Sequence, residues 1–296
     1  MSITCTYVLD YSASEIARLK LNADVIAGVT RRLIRDSGIQ PGMRVLDIGC
    51  GVGDVSILLA ETVGKLGRVV AFDREPRAIE TAQLRAIEAG HEQIDFMVGS
   101  NNELPDGPPF DAVIGRCVLV HQTDPVAMIH RAANAVRPGG IIAFQEPALQ
   151  LQAQALPTVD LLVCAEHAVS SVSRALLPHY DVSGRLIRCF EDANLPTPYI
   201  TWESVVGDHT SPLWRSIAML YLGVQPHIKR LSLQLMEEAD PDTFVDRLIA
   251  AAATLRSQIV SRPYSCAWTI SPRPCGSAYR APIASLCISA SFWPNA

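Results

Sequence analysis

Residues 45–54 read VLDIGCGVGD. Aliphatic residues around Asp47 run straight into glycines at positions 49, 51 and 53, the pattern of a buried strand that ends in a tight loop before a helix. The ordinary reading is turn chemistry, because glycine alone reaches left-handed backbone conformations cheaply. The sharper reading is a cofactor loop, and the spacing narrows which one. A dinucleotide fingerprint needs GxGxxG, and Asp54 stands where its third glycine belongs. Asp47 argues the same way, since a carboxylate suits a cationic ligand better than a diphosphate. Asp73 closes RVVAFD one βα unit downstream, where a carboxylate can accept both hydroxyls of a ribose. Together these residues describe a site for a nucleoside with a positively charged tail.

Working outward, short β-branched runs alternate with helical spacing. RVLDI precedes a helix over 55–63, RVVAF a helix over 76–89, and FDAVIG a helix over 125–135; IDFMV and GIIAFQ complete five strands. RPGG at 137–140 reads as a turn before the last of them. Strands alternating with helices predict an α/β fold, a doubly wound parallel sheet covered on both faces. Ligands of such sheets bind beyond the carboxyl ends of the strands, where strand order reverses. The candidate positions are therefore Asp47, Gly49, Gly51 and Gly53 after the first strand and Asp73 and Arg74 after the second. Gly99 to Asn102 follow the third, Gly115 and Arg116 the fourth, and Gln145 and Glu146 the fifth.

Four of these segments resemble the class I S-adenosylmethionine-dependent methyltransferases, in particular the ubiquinone and menaquinone type and the small-molecule enzymes of natural-product biosynthesis. VLDIGCGVGDVS is similar to the family's first motif, AFDRE to its second-strand acidic motif, FDAVIGRCVLVHQTDP to its fourth-strand segment and VRPGGIIAFQEP to its fifth. The resemblance spans residues 44–147 and implies a seven-stranded Rossmann-like sheet with S-adenosyl-L-methionine as cofactor and S-adenosyl-L-homocysteine as product. It implies that Gly49, Gly51 and Gly53 let the backbone approach the cofactor, that Asp47 supports this loop and binds the cofactor's amino group through water, and that Asp73 holds the ribose hydroxyls with Arg74 beside the adenine. Relatives often read GDAxxLP after the third strand; here GSNNELP puts Ser100 in the aspartate's place, so Ser100 or Asn101 is the expected adenine contact. Arg116 would lie near the methionine end.

Outside that core, residues 13–36 have helical apolar spacing and end near Gly38 and Pro41. After Pro147 the alternation stops. Helical stretches are expected at 157–177, 184–194 and 212–259, a strand at YITWESVVG (199–207) and a last strand in SCAWTI. The resemblance makes these last two strands an antiparallel pair at the sheet edge and the helices a lid. The expected organisation is a lid segment at 1–40, a cofactor-binding core at 41–147, a helical substrate lid with the sixth strand at 148–262, and a last strand with an atypical, aperiodic tail at 263–296. Lid aromatics, among them Tyr180, Trp202, Trp214 and Tyr221, suit a flat ring system, although aromatic residues at helical spacing usually serve packing.

Composition excludes several classes. A formal charge of −5 without a long basic run gives no nucleic-acid footprint, and no apolar run is long enough to span a membrane. The eight cysteines form no CxxC pair, so reduced thiols in a cytoplasmic protein are expected, with no metal site. The expected partner is a small-molecule substrate; a homodimer is left open. Methyl transfer from a sulfonium needs alignment more than acid–base chemistry, so no fixed triad is expected. Where the acceptor must lose a proton, the candidates are Glu146 first, then His121, Tyr11 and His209. His121 also fits a plain helix start beside Asp124. The acceptor expected is a small aromatic molecule of secondary metabolism, methylated on carbon, oxygen or nitrogen, with a quinone-biosynthesis C-methyltransferase as the alternative. An NAD(P)-dependent oxidoreductase and a non-catalytic S-adenosylmethionine-binding protein are the readings from other classes.

Overall fold

The computed structural model describes residues 12–100, 104–105, 107–233 and 240–272. Tyr11, Asn101 and the tail from residue 273 lie outside the described residues.

The five strands expected from the alternation form: β1 (Arg44–Ile48), β2 (Arg68–Asp73), β3 (Ile94–Val98), β4 (Phe110–Arg116) and β5 (Val136–Pro147). The last starts four residues earlier than GIIAFQ, because the RPGG segment is absorbed into the strand; Gly139 turns there at φ 77° and its N–H donates to the Ser271 carbonyl. Strands β6 (Gln154–Leu156), β7 (Tyr199–Glu203), β8 (Val206–Gly207), β9 (Gln258–Val260) and β10 (Tyr264–Ile270) follow. The main sheet runs β3-β2-β1-β4-β5-β10-β7. All pairs from β3 to β5 are parallel, while β10 lies antiparallel to both β5 and β7. The expected antiparallel edge pair is therefore present, with the later strand inserted between its predecessors. Strand order reverses between β1 and β4, which puts the ligand crevice above their carboxyl ends.

Helices α2 (Asp54–Val63), α3 (Pro76–Glu88) and α4 (Pro125–Ala135) cover the sheet. Val45, Leu46 and Ile48 of β1 are inaccessible, as the near-continuous apolar run requires of a strand covered on both faces. Each such side chain contributes about 1.5–3 kcal/mol over an exposed one.

The lid consists of α1 (Ala13–Asp36), α5 (Asp160–Leu176), α7 (Pro212–Arg230) and α8 (Phe244–Leu255), whereas α6 (Leu186–Asp192), expected in the lid, packs with α4 on the sheet, its Phe190 edge-on to Phe144 of β5. Both α1 and α5 pack on α7, and α5, α7 and α8 share a core of their own around Leu162, Trp214 and Leu248. Three further expectations are corrected here. The first lid helix begins at Asp160 rather than 157. The stretch 212–259 is two helices, and its end is strand β9, because Arg256 adopts φ 51° and closes α8. YITWESVVG splits into β7 and β8, the second of which joins a small antiparallel sheet, β6-β9-β8, that ties the lid segments together. Among the described residues no helix is long and apolar enough to cross a membrane.

Candidate functional site

The glycine loop is tied to the neighbouring strand by its backbone. Cys50 N–H donates to the Phe72 carbonyl at 3.0 Å, and Gly51 N–H to Asp73 Oδ2 at 2.9 Å. Asp73 Oδ1 accepts from Glu75 N–H at 3.0 Å, so the carboxylate at the end of β2 is held from both sides while lining the crevice. Gly49, Gly51 and Gly53 all have positive φ, between 53° and 85°, but for different packing reasons. A Cβ on Gly51 would meet nothing within 4 Å, for that residue faces open cavity. A Cβ on Gly53 would lie 3.0 Å from Cβ of Ala82 in α3, so this glycine lets helix and loop pack and does not line the cavity.

A single cavity of about 900 Å³ extends from this loop into the lid. Gly49, Gly51, Asp73, Arg74, Ser100 and Arg116 line its sheet end. Asp47 does not. It is buried beneath the loop, where Ser56 Oγ donates to its carboxylate at 2.6 Å. Burial pushes its pKa up to about 7, against the opposing pull of Ser56 and the Arg116 cation. Its part is support of the loop. Arg116 lies 3.4 Å from Asp54, which also pairs with Arg85 at 2.7 Å. The residue that breaks the dinucleotide fingerprint thus anchors a cation at the cavity wall.

The proton-transfer candidates fare differently. Glu146 is corrected: it is fully buried, lines no part of the cavity, and accepts from the N–H groups of Val118, Leu119 and Val120 at 2.9, 2.8 and 3.3 Å. Burial raises its pKa to about 7 despite those three donors. A strand end shows where a residue sits but not which way its side chain turns, and here it turns under the loop after β4, holding that loop's backbone. His209 is corrected as well, since it stands in the turn before α7 and away from the cavity. His121 does line the cavity, whereas the cap of α4 is Asp124, which accepts from Ala127 N–H. Burial, and after it the Arg74 cation, lower the His121 pKa to about 4. It is a neutral wall residue and a weak base. Tyr11, like Asn101, falls outside the described residues.

The walls of the lid end are mainly aliphatic, from residues such as Val169, Leu213, Ile217 and Val224. None of the described lid aromatics lines it. Trp214 and Tyr221 are buried in the lid core instead, Trp214 Nε1 donating to the Asp208 carbonyl and Tyr221 packing on Phe244 at 4.7 Å between ring centres. Sequence reasoning missed the polar residues of this end: Arg18 from α1, Glu166 from α5, and Arg262 just before β10. One signal was present. Glu166 falls on the apolar stripe of its helix with Leu162, Ala165 and Val169, where an acid is out of place.

The residues at the sheet end fit a nucleoside cofactor: open space before Gly51, a carboxylate at Asp73 that lines the cavity, and backbone able to approach closely. Among the described residues no cluster of three or more His, Cys, Asp or Glu side chains could hold a metal.

Comparison with known proteins agrees with that geometry. The family described as "Methyltransferase domain" matches residues 39–193, slightly more than half the chain. An aklanonic acid methyltransferase of Streptomyces sp. (strain C5) is 38% identical over 144 residues, 48% of this chain and 64% of that protein. A ubiquinone biosynthesis O-methyltransferase of Xanthomonas campestris pv. campestris is 40% identical over 105 residues, 34% of this chain and 42% of that protein. The chain therefore spans less than two thirds of the length of the curated relatives it matches. Among solved structures, the YcgJ protein of Bacillus subtilis superposes with a TM-score of 0.55 at 16% identity, covering 83% of this chain and all of that one, a likeness of fold.

Proposed function

Since this chain belongs to the methyltransferase-domain family, we propose that it moves a methyl group from S-adenosyl-L-methionine to a small, largely apolar acceptor held in the lid, releasing S-adenosyl-L-homocysteine. The observation that carries this reading is the continuity of one cavity from Gly51 and Asp73 into an aliphatic chamber beneath α1, α5 and α7. Donor and acceptor can meet there only side by side.

The sulfonium supplies an activated methyl; the protein's work is to align and to exclude water. Asp73 accepts the ribose hydroxyls, Gly49 and Gly51 admit the backbone-facing part of the cofactor, and Arg74 and Ser100 flank the base. Asp47 and Gly53 hold the loop from behind. Glu146 secures the loop after β4, which carries Cys117, Val118 and His121 to the wall. Among the described residues the buried carboxylates that line the cavity, Asp73 and Glu166, are engaged by Gly51 N–H and by Arg262, which favours acceptors that lose a proton readily by themselves, such as phenols and enols, over unactivated carbon. The aromatic character of the acceptor rests on the names of the relatives rather than on the lid aromatics, which turn inward to packing. A cytoplasmic setting and a small-molecule partner go with this reading, in keeping with five cysteines outside any disulfide among the described residues.

Two measurements test it. Calorimetry with S-adenosylhomocysteine should register saturable heat, and NADH none. A mass-spectrometric screen of phenols, quinols and polyketide-like ring systems with the donor should return products heavier by one CH2 unit. Absence of binding by both donor and demethylated product would overturn the reading.

A further inference from the structure

Two buried ion pairs flank the lid end of the cavity, and they differ in one respect. Arg18 grips Glu15 with two parallel bonds, Nε to Oε2 at 2.7 Å and Nη2 to Oε1 at 2.6 Å, so both carboxylate oxygens are taken. Arg262 meets Glu166 with one bond only, Nη2 to Oε2 at 2.5 Å, and that same oxygen also accepts from Ala153 N–H at 3.0 Å. Glu166 Oε1 and Arg262 Nη1 are buried and have no hydrogen-bond partner among the described residues. The side chains are 1% and 9% exposed, and both residues line the cavity.

A buried acceptor and a buried donor left unmet are both destabilising, more so when charged. Such a pair is retained at a cavity wall when something else completes it. The pair's own charges cancel, and this restricts what that can be. An anionic group is attracted by Arg262 and repelled by Glu166, a cationic group the reverse. A neutral group that donates one hydrogen bond and accepts another satisfies both at once.

We propose that Glu166 and Arg262 form the polar recognition pole of the acceptor chamber, and that they select a neutral acceptor carrying a hydroxyl next to a second oxygen, as in a vicinal diol or hydroxy-ketone on a ring. The proposal rests on the methyl-transfer reading for the identity of the chamber. It adds the chemistry of the group bound away from the cofactor, with the aliphatic walls taking the ring body.

The test uses three probes with one naphthalene body: the vicinal diol, its bis-methyl ether, and the carboxylate naphthoate. Each is titrated into the full chain saturated with S-adenosylhomocysteine, whose own binding is measured separately. The wild-type protein should bind the diol at least about tenfold more tightly than either of the others. Glu166→Gln should narrow the gap between diol and naphthoate by at least about tenfold, and Arg262→Lys should weaken the diol by at least about tenfold. The pole is refuted if the three probes bind wild type within about threefold of one another, or if none binds while S-adenosylhomocysteine does. An unchanged ranking in a Glu166→Gln protein that retains S-adenosylhomocysteine affinity refutes it too. Should that variant fail to fold, the wild-type ranking and Arg262→Lys decide. Loss of S-adenosylhomocysteine binding by wild type strikes the methyl-transfer reading itself, a separate outcome.

Discussion

Gly51 and Asp73 stand 22 residues apart and meet through a backbone N–H; Glu166 and Arg262 stand 96 residues apart and meet through their side chains. Both pairs line the same cavity. The first is assembled by two neighbouring parallel strands whose ends must coincide once the sheet forms, so its geometry follows from register. The second needs a lid helix and the chain entering β10 to be brought together by an entire lid core. The sheet end is consequently fixed by backbone and register, while the lid end can change its lining by exchanging a few side chains on the same scaffold.

The comparison breaks most sharply at Asp73. Asp73→Ala removes the acceptor of the Gly51 N–H along with the ribose contact proposed for it, and should weaken S-adenosylhomocysteine by about a hundredfold to a thousandfold, read by calorimetry. Retention within tenfold would mean that the sheet end is not the cofactor end.

Glu146→Gln comes next and acts on stability. It presents an amide N–H2 to backbone donors and should lower unfolding free energy by about 2–4 kcal/mol, measured by urea denaturation, with turnover per folded molecule nearly unchanged. A large loss of turnover with full stability would return this glutamate to the reaction.

Gly53→Ala and Gly51→Ala separate packing from binding within the loop. Gly53→Ala carries both left-handed strain and the close approach to Ala82 and should cost about 1–3 kcal/mol in thermal unfolding; Gly51→Ala carries strain alone and should cost about 1 kcal/mol, its larger effect falling on cofactor affinity.

The support beneath the loop is sharpened by pH. The folded-state pKa of Asp47 is raised above its unfolded value, so native protein binds the extra proton and loses stability as pH rises from about 4 to about 7. Asp47→Asn removes that dependence, and should gain stability relative to wild type across this window, seen as urea midpoints at pH 5 and 8. A constant difference would show that the carboxylate stays ionised when folded. The smallest effect belongs to His209→Ala, which stands outside the cavity and should leave both affinities unchanged.

Legibility in the sequence followed the same division. β1 and β3 appeared to the residue, because each short run is bounded by turn residues, although β1 is covered on both faces and β3 is a half-exposed edge strand. Asp73 was readable as a crevice position because it closes β2, and it lines the cavity. Glu146 was not, since its position at a strand end was correct while the direction of its carboxylate depends on where the loop after β4 folds. The three strands of the small lid sheet are two or three residues long and leave no period to detect. The lid aromatics had the right spacing for either role, and only the packing of α5, α7 and α8 turned Trp214 and Tyr221 inward.

By itself the sequence determined the doubly wound sheet, the glycine loop and the acid of the second strand, because these depend on local periodicity and on backbone conformations open to glycine. The tertiary structure alone decided which side chains face the lid end of the cavity. Burial, partnership and orientation in the lid arise from contacts between segments far apart in the chain, and no local pattern encodes a pair such as Glu166 and Arg262.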